Sequence, residues 1–209
     1  MDDIILNGGY NKKAILFEKG FKDKIYYKGK ELIDLSHCSG SLLFGHNNSI
    51  LVKSLKNYLN KKNSIFSHPN IYAVKFSKLI KKKFPNFKKI VFCNSGTEAV
   101  TKALRISFAT NKKKLIVSVA GSWHGSVSKT LFYPDRNFKP KPISSGIEEN
   151  KGKIIFIPYN DIPNSKKILE RFKNKINCLI IEPVQAGLPT DTIGSYLNFL
   201  QSYCKKNKI

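Results

Sequence analysis

The sequence predicts an α/β fold built on a mostly parallel sheet with flanking helices. Four short apolar runs of strand length alternate with segments whose apolar residues recur at helical spacing. Near-continuous apolar strands are typical of parallel sheets that are covered on both faces. Hydrophobic residues make up 41% of the 209 residues, so the chain has enough apolar material for a core.

The amino-terminal part of the chain has a different pattern, with short strands and turns before the first helix. We expect three short strands, at residues 14–17, 24–27 and 31–35. A glycine-rich passage follows at residues 39–46. The sequence therefore predicts a small segment of strands and turns over residues 1–45, followed by a larger, incomplete domain over residues 46–209.

Two helices are predicted next. Leu51, Leu55 and Leu59 recur at the spacing of one helix face. A second set of apolar residues recurs at helical spacing between Pro69 and Pro85, and proline is a common residue just beyond a helix end. Both segments are therefore predicted to be amphipathic helices.

From residue 89 onward, strands and helices are predicted to alternate. The predicted strands are residues 90–93, 115–120, 154–157 and 178–181. The predicted helices are residues 98–109, about 165–174, and a last segment that carries Tyr196 and Cys204. Such sheets bind ligands beyond the carboxyl ends of their strands, so we expect the chemistry at that edge.

The formal net charge of +23 raises the question of nucleic-acid binding. All basic residues except Arg105, Arg136 and Arg171 are lysines, whereas proteins that read bases and phosphates rely on the bidentate fork of arginine. The lysines are spread along the chain in pairs and triplets, which is typical of solvated faces. We therefore expect no nucleic-acid partner, and a nucleic-acid binder is kept as a third alternative.

Several features favour a cytoplasmic protein without a membrane or metal partner. No apolar run approaches the roughly 20 residues that a membrane span needs, and the acidic start lacks the pattern of a signal peptide. The four cysteines are far apart and form no CxxC pair, so a zinc site is not expected. Reduced, unpaired cysteines agree with a reducing compartment.

The first candidate for chemistry is the turn Asn-Ser-Gly-Thr-Glu-Ala at residues 94–99, where a helix is predicted to begin. The first amides of a helix have no internal partners, and the helix dipole favours an anion there. The hydroxyls of Ser95 and Thr97 can add hydrogen-bond donors. A phosphate fits this turn, although an ordinary N-cap explains the same residues and stays an open alternative.

Two further candidates follow predicted strands. Trp123, the only tryptophan, lies in Ser-Trp-His-Gly at residues 122–125, where its ring could stack on a planar cofactor or plug the core. His124 alone is more typical of a hydrogen-bonded structural histidine. Glu182 follows the fourth strand in Glu-Pro-Val-Gln, and an ordinary solvated strand end is the alternative.

Together and in this order, the motifs resemble those of class-III aminotransferases, most closely the glutamate-1-semialdehyde aminomutase branch. That family shows Ser-Trp-Gly-Pro…Gly-His, then Asn-Ser-Gly-Thr-Glu-Ala, Tyr-His-Gly and Glu-Pro-Val. This sequence has Cys-Ser-Gly-Ser…Gly-His at residues 38–46, the six-residue turn unchanged, Trp-His-Gly at residues 123–125 and Glu-Pro-Val at residues 182–184. The resemblance implies the large domain of a fold-type-I pyridoxal-phosphate enzyme.

The resemblance also implies a cofactor, pyridoxal 5′-phosphate, and the residues that bind it. The implied cofactor-binding residues are Ser95, Gly96, Thr97, Trp123, His124 and Glu182. The first three would hold the phosphate. Trp123 would stack on the pyridine ring, where the family mostly has tyrosine. Because the indole of Trp123 has no hydroxyl, any role of the tyrosine hydroxyl in the family is not expected in this chain.

Cys38, Ser39 and Gly40 would line the substrate side, by the same resemblance. This segment departs most from the family pattern, so the substrate is not carried over. The resemblance implies a small-molecule amino donor and acceptor, and a homodimer for the full-length protein.

Family members are considerably longer than this chain. In them, the aspartate that reaches the pyridine nitrogen and the Schiff-base lysine follow the matching part. We therefore expect the chain to be the amino-terminal half of an aminotransferase or aminomutase, without its catalytic lysine and inactive by itself. The alternative is a non-catalytic, degenerate relative that binds a phosphate ligand or a partner.

Overall fold

The computed structural model describes residues 15–62 and 68–209. The chain forms two compact units, which we call the first unit (Met1–Lys88) and the second unit (Lys89–Ile209). The domain boundary expected between residues 45 and 46 stays a prediction.

The first unit contains an antiparallel sheet of three strands in the order β1-β2-β3. The strands are β1 (Lys19–Phe21), β2 (Lys24–Tyr27) and β3 (Lys30–Ile33). The strand expected at residues 14–17 is wrong over residues 15–17, and residue 14 lies outside the described residues. The strand forms at β1 instead, because the tight turn at Lys22 and Asp23 pairs Phe21 with Lys24 and fixes the register.

Two helices complete the described part of the first unit and confirm the predicted pair. Helix α1 (Ser49–Asn60) begins after Asn48, whose side chain accepts hydrogen bonds from the backbone N–H groups of Ile50 and Leu51. Helix α2 (Ile71–Lys83) begins after Asn70 in a similar way. Side chains of this kind satisfy the unpaired amides at a helix start. Neither helix buries a residue.

The second unit is built on a parallel sheet of three strands in the order β7-β4-β8. Its elements are α3 (Gly96–Thr110), β4 (Leu115–Val119), β5 (Phe132–Pro134), β6 (Pro140–Pro142), β7 (Ile154–Ile157), α4 (Ile162–Phe172), β8 (Ile176–Ile180) and α5 (Gly194–Asn207). The three predicted strands of this sheet and the three predicted helices are confirmed, with ends that move by a few residues. The short antiparallel pair β5-β6 has no counterpart in the prediction.

The strand predicted at residues 90–93 is wrong. These residues carry no strand in the structure, and the side chains of Val91 and Phe92 are 63% and 43% exposed. An apolar run predicts burial, but a strand also requires a neighbour that pairs with its backbone. In the described part of the chain, no strand supplies that neighbour.

The core of the second unit lies on both faces of the parallel sheet. Val117 and Val119 of β4 pack in one apolar cluster with Leu169 of α4 and Tyr196 of α5. Ile116 points to the opposite face, as alternation along a strand requires, and belongs to a second cluster that includes α3. Among the helices of the described residues, none is long and apolar enough to cross a membrane.

Candidate functional site

The first turn of α3 presents unpaired amides. Ser95 is the N-cap, and its Oγ accepts from the N–H of Glu98 at 3.2 Å. The Glu98 carboxylate accepts from the N–H of Asn94 at 2.9 Å, which closes the turn from the other side. Within the described residues, the N–H groups of Gly96 and Thr97 donate to no protein group. Two donors therefore remain at the positive end of a 15-residue helix.

Open space lies beside this turn. Apart from its chain neighbours and the backbone of α3, no heavy atom of the described residues comes within 4 Å of the position that a Cβ on Gly96 would take. A larger residue at this position would narrow the approach to the free amides. The turn therefore combines donors, a favourable dipole and access, which together suit an anion.

The loop after β4 packs directly against this turn. The N–H of Ser126 donates to Thr97 Oγ1 at 3.1 Å. Gly125 has a φ of +72°, and a Cβ there would lie 2.5 Å from Thr97 Oγ1. Glycine is thus required at residue 125 both by its backbone conformation and by the close approach. This contact brings two predicted motifs together, residues 94–99 and residues 122–125.

Trp123 projects from the same loop with 60% of its surface exposed, so the alternative of a core plug is wrong. Its backbone N–H donates to Glu182 Oε2 at 3.3 Å. The other carboxylate oxygen of Glu182 accepts from the N–H of Ala186 at 3.2 Å. Glu182 therefore ties the Trp123 loop to the loop after β8.

His124 turns the other way, into the protein. Its side chain is 7% exposed, and its Nε2 lies 3.2 Å from the hydroxyl of Ser118 in β4. Burial lowers the pKa of His124, and the negative charge of Glu182 partly opposes that shift. The ring is therefore mainly neutral at pH 7 and anchors the loop to the sheet. Its place among the cofactor residues stays a prediction, as do those of the other five.

No role was predicted from the sequence for Gln185 or Ser122. Gln185 is 2% exposed, and its Nε2 donates to the carbonyl oxygen of Ala120 at 2.7 Å and to Ser122 Oγ at 3.1 Å. Ser122 Oγ also accepts from the N–H of Glu182 at 3.3 Å. The sequence feature that could have indicated Gln185 is its place in Glu-Pro-Val-Gln, a motif that directly follows the predicted strand at residues 178–181.

Cys38, Ser39 and Gly40 lie in the first unit, in a turn with left-handed backbone conformation. Their φ values are +55°, +54° and +82°, and the hydroxyl of Ser41 donates to the carbonyl oxygen of Cys38 at 2.8 Å. Non-glycine residues rarely adopt this conformation, and those that do lie mostly in turns. Their assignment to the substrate side stays a prediction.

Comparisons with known proteins agree with these motifs. The family model for Aminotransferase class-III matches residues 11–209. The chain is 36% identical over 157 residues to a glutamate-1-semialdehyde 2,1-aminomutase of Wigglesworthia glossinidia brevipalpis, covering 72% of this chain and 36% of that protein. It is 34% identical over 184 residues to the enzyme of the same name from Thermodesulfovibrio yellowstonii, covering 86% of this chain and 42% of that protein.

A solved structure described as a transaminase with PLP bound gives the same result for the fold. It superposes with a TM-score of 0.84 at 24% identity, covering 95% of this chain and 48% of that one. This likeness confirms the predicted fold type I. The chain spans between 36% and 50% of the length of five curated relatives that it matches.

Proposed function

The chain belongs to the class-III aminotransferase family, as its motifs indicated, and we propose that its second unit binds pyridoxal 5′-phosphate. The observation that carries the proposal is the contact between the α3 turn and the Trp123 loop. Free amides on one side and an exposed aromatic ring on the other match a ligand with a phosphate and a planar ring.

The phosphate-binding half of the proposed site consists of Ser95, Gly96 and Thr97. Gly96 and Thr97 supply the free amides. The hydroxyls of Ser95 and Thr97 each accept a bond from a backbone N–H, from Glu98 and Ser126 respectively. Because a hydroxyl is both donor and acceptor, each keeps its own proton for a phosphate oxygen.

The ring-binding half consists of Trp123 and the groups that hold it. When bound, the cofactor supplies an electron sink for amino-group chemistry. Trp123 offers the face of its indole to the pyridine ring. We propose that His124 and Glu182 act through the loop, because His124 bonds to the sheet and both carboxylate oxygens of Glu182 accept from backbone N–H groups.

For the complete protein, we propose amino-group transfer on small amino or keto compounds, either between two molecules or within one. Family membership and the named aminomutases support this proposal. The choice between the two reactions, the homodimer and the cytoplasmic location stay predictions. The expected inactivity of residues 1–209 by themselves also stays a prediction.

The test uses Trp123 as a fluorescent reporter, because it is the only tryptophan. Pyridoxamine 5′-phosphate is the probe, since it lacks the aldehyde that would react with the many lysines. We expect it to quench Trp123 saturably, whereas pyridoxamine, which has no phosphate, should bind at least about tenfold more weakly.

A matched pair of variants locates the phosphate. Thr97→Val removes a hydroxyl at the start of α3. It should lower the affinity for the probe about tenfold, the typical loss for a hydrogen bond to a charged group. Thr110→Val removes a hydroxyl at the far end of the same helix, where it donates to the carbonyl oxygens of Ile106 and Ser107, and should leave binding unchanged. Equal binding of probe and pyridoxamine would reject the proposal. Binding of inorganic phosphate without quenching by the probe would favour the non-catalytic alternative.

A further inference from the structure

Gln185 is a buried polar side chain beside the proposed site that does not itself reach the open face of the site. It lies in the loop after β8 and is 2% exposed. Burial of an unpaired amide is costly, so such a group is normally bonded. Both of its protons are directed to the segment after β4, one to the carbonyl oxygen of Ala120 at 2.7 Å and one to Ser122 Oγ at 3.1 Å.

The segment between these two acceptors is shaped around the same amide. Gly121 has a φ of +86°, and a Cβ there would lie 2.6 Å from Gln185 Oε1. The amide therefore fills the inside of the turn that leads from β4 to Trp123. Replacing it would remove both hydrogen bonds and the contact that the turn packs against.

Besides Glu182 and His124, which bond to the loop itself, two further anchors hold the segments on either side of Trp123. On one side, Gln185 holds Ala120 and Ser122. On the other side, Thr97 Oγ1 accepts a hydrogen bond from the backbone N–H of Ser126. Only the second anchor belongs to the turn that would bind phosphate.

We infer that Gln185 is a positioning residue that orients Trp123 for stacking on the planar ring of a ligand whose phosphate lies at the α3 turn. This inference rests on the proposed function. It separates the two halves of the site: loss of Gln185 weakens the contact with the ring and leaves the binding of phosphate unchanged. A residue with a purely structural role would affect both halves together.

The experiment measures the affinity of the full chain for two ligands. The protein concentration in the fluorescence titration is about 1 µM. Pyridoxamine 5′-phosphate is followed by quenching of Trp123, and inorganic phosphate by phosphorus NMR at higher protein concentration. Gln185→Met keeps the length of the side chain and removes its donors. It should lower the affinity for pyridoxamine 5′-phosphate about fivefold, the typical contribution of an aromatic stacking contact, and change the affinity for phosphate less than twofold.

Gln201→Met is the matched control, because Gln201 is exposed on α5. It should change neither affinity. Ser122→Ala provides a milder change if Gln185→Met does not fold. It removes one acceptor of the amide and should lower the affinity for pyridoxamine 5′-phosphate about twofold, in the same direction.

Each outcome has one meaning. Unchanged affinity for pyridoxamine 5′-phosphate in Gln185→Met, or in Ser122→Ala where only that variant folds, overturns the inference. Parallel losses for pyridoxamine 5′-phosphate and inorganic phosphate also overturn it, because they indicate a general structural role. If the unaltered chain does not bind pyridoxamine 5′-phosphate, the proposed function fails first, and the inference fails with it.

Discussion

The two units differ in how far they bury the apolar residues that their helices carry. In the first unit, Leu51 and Leu55 of α1 are 54% and 59% exposed, and Leu79 of α2 is 66% exposed. In the second unit, Leu169 of α4 and Tyr196 of α5 are fully buried. Helices with similar apolar spacing therefore reach opposite degrees of burial.

The difference shows that an amphipathic pattern is a requirement for burial and not a guarantee of it. The second unit has a sheet with two apolar faces, and α3 packs on one face while α4 and α5 pack on the other. Buried polar groups accompany that core: Ser118, Ser165, Asn177 and Gln185 are each at most 2% exposed and each takes part in hydrogen bonds.

The largest expected effect comes from truncating one leucine in each unit. Leu169→Ala should lower the free energy of unfolding by about 2–5 kcal/mol, because it leaves a cavity in a closed core. Leu55→Ala should cost no more than about 0.5 kcal/mol, because that side chain is already 59% exposed. Urea denaturation followed by circular dichroism measures both. Equal losses would show that the first unit buries Leu55 in solution and would break the comparison.

A buried polar residue should give an intermediate effect. Asn177 is 2% exposed and donates to the carbonyl oxygens of Asn111 and Lys113. Asn177→Ala leaves both acceptors without this partner and should cost about 1–3 kcal/mol. Asn174→Ala, at an exposed position, serves as the control. A loss below about 0.5 kcal/mol for Asn177→Ala in the same denaturation assay would mean that the second unit does not depend on its buried polar bonds.

The smallest expected effect is a pH dependence that belongs to the second unit. Burial lowers the pKa of His124 below its ordinary value of 6.5. Below pH 6.5 the unfolded chain therefore binds more protons at this residue than the folded chain, so stability falls as the pH drops from 7.5 to 5.5. His124→Phe should lessen this fall. Melting temperatures of both proteins across that range test the expectation, and an equal decline in the variant would contradict it.

The sequence predicted most of the second unit because its elements follow from local patterns. The strand at Ile154–Ile157 has the predicted bounds, and the helix predicted at residues 98–109 forms as α3. Two strands were predicted wrongly, at residues 14–17 and 90–93: residues 15–17 and 90–93 form no strand in the structure, although they include apolar residues. Strand formation depends on residues distant in the chain, so an apolar run alone does not decide it.

For the candidate site, the sequence by itself determined the α3 turn. The Oγ of Ser95 accepts from the N–H of Glu98, only three residues away, and the helix dipole favours an anion at the same turn. Both effects depend on neighbouring residues alone. The tertiary structure alone decided which residues join the turn. Trp123 and Glu182 are 59 residues apart, yet they meet because β4 and β8 are parallel neighbours whose carboxyl ends share one edge. The same pairing turns Gln185 inward to the Trp123 loop, a placement that follows from strand order rather than from any local pattern.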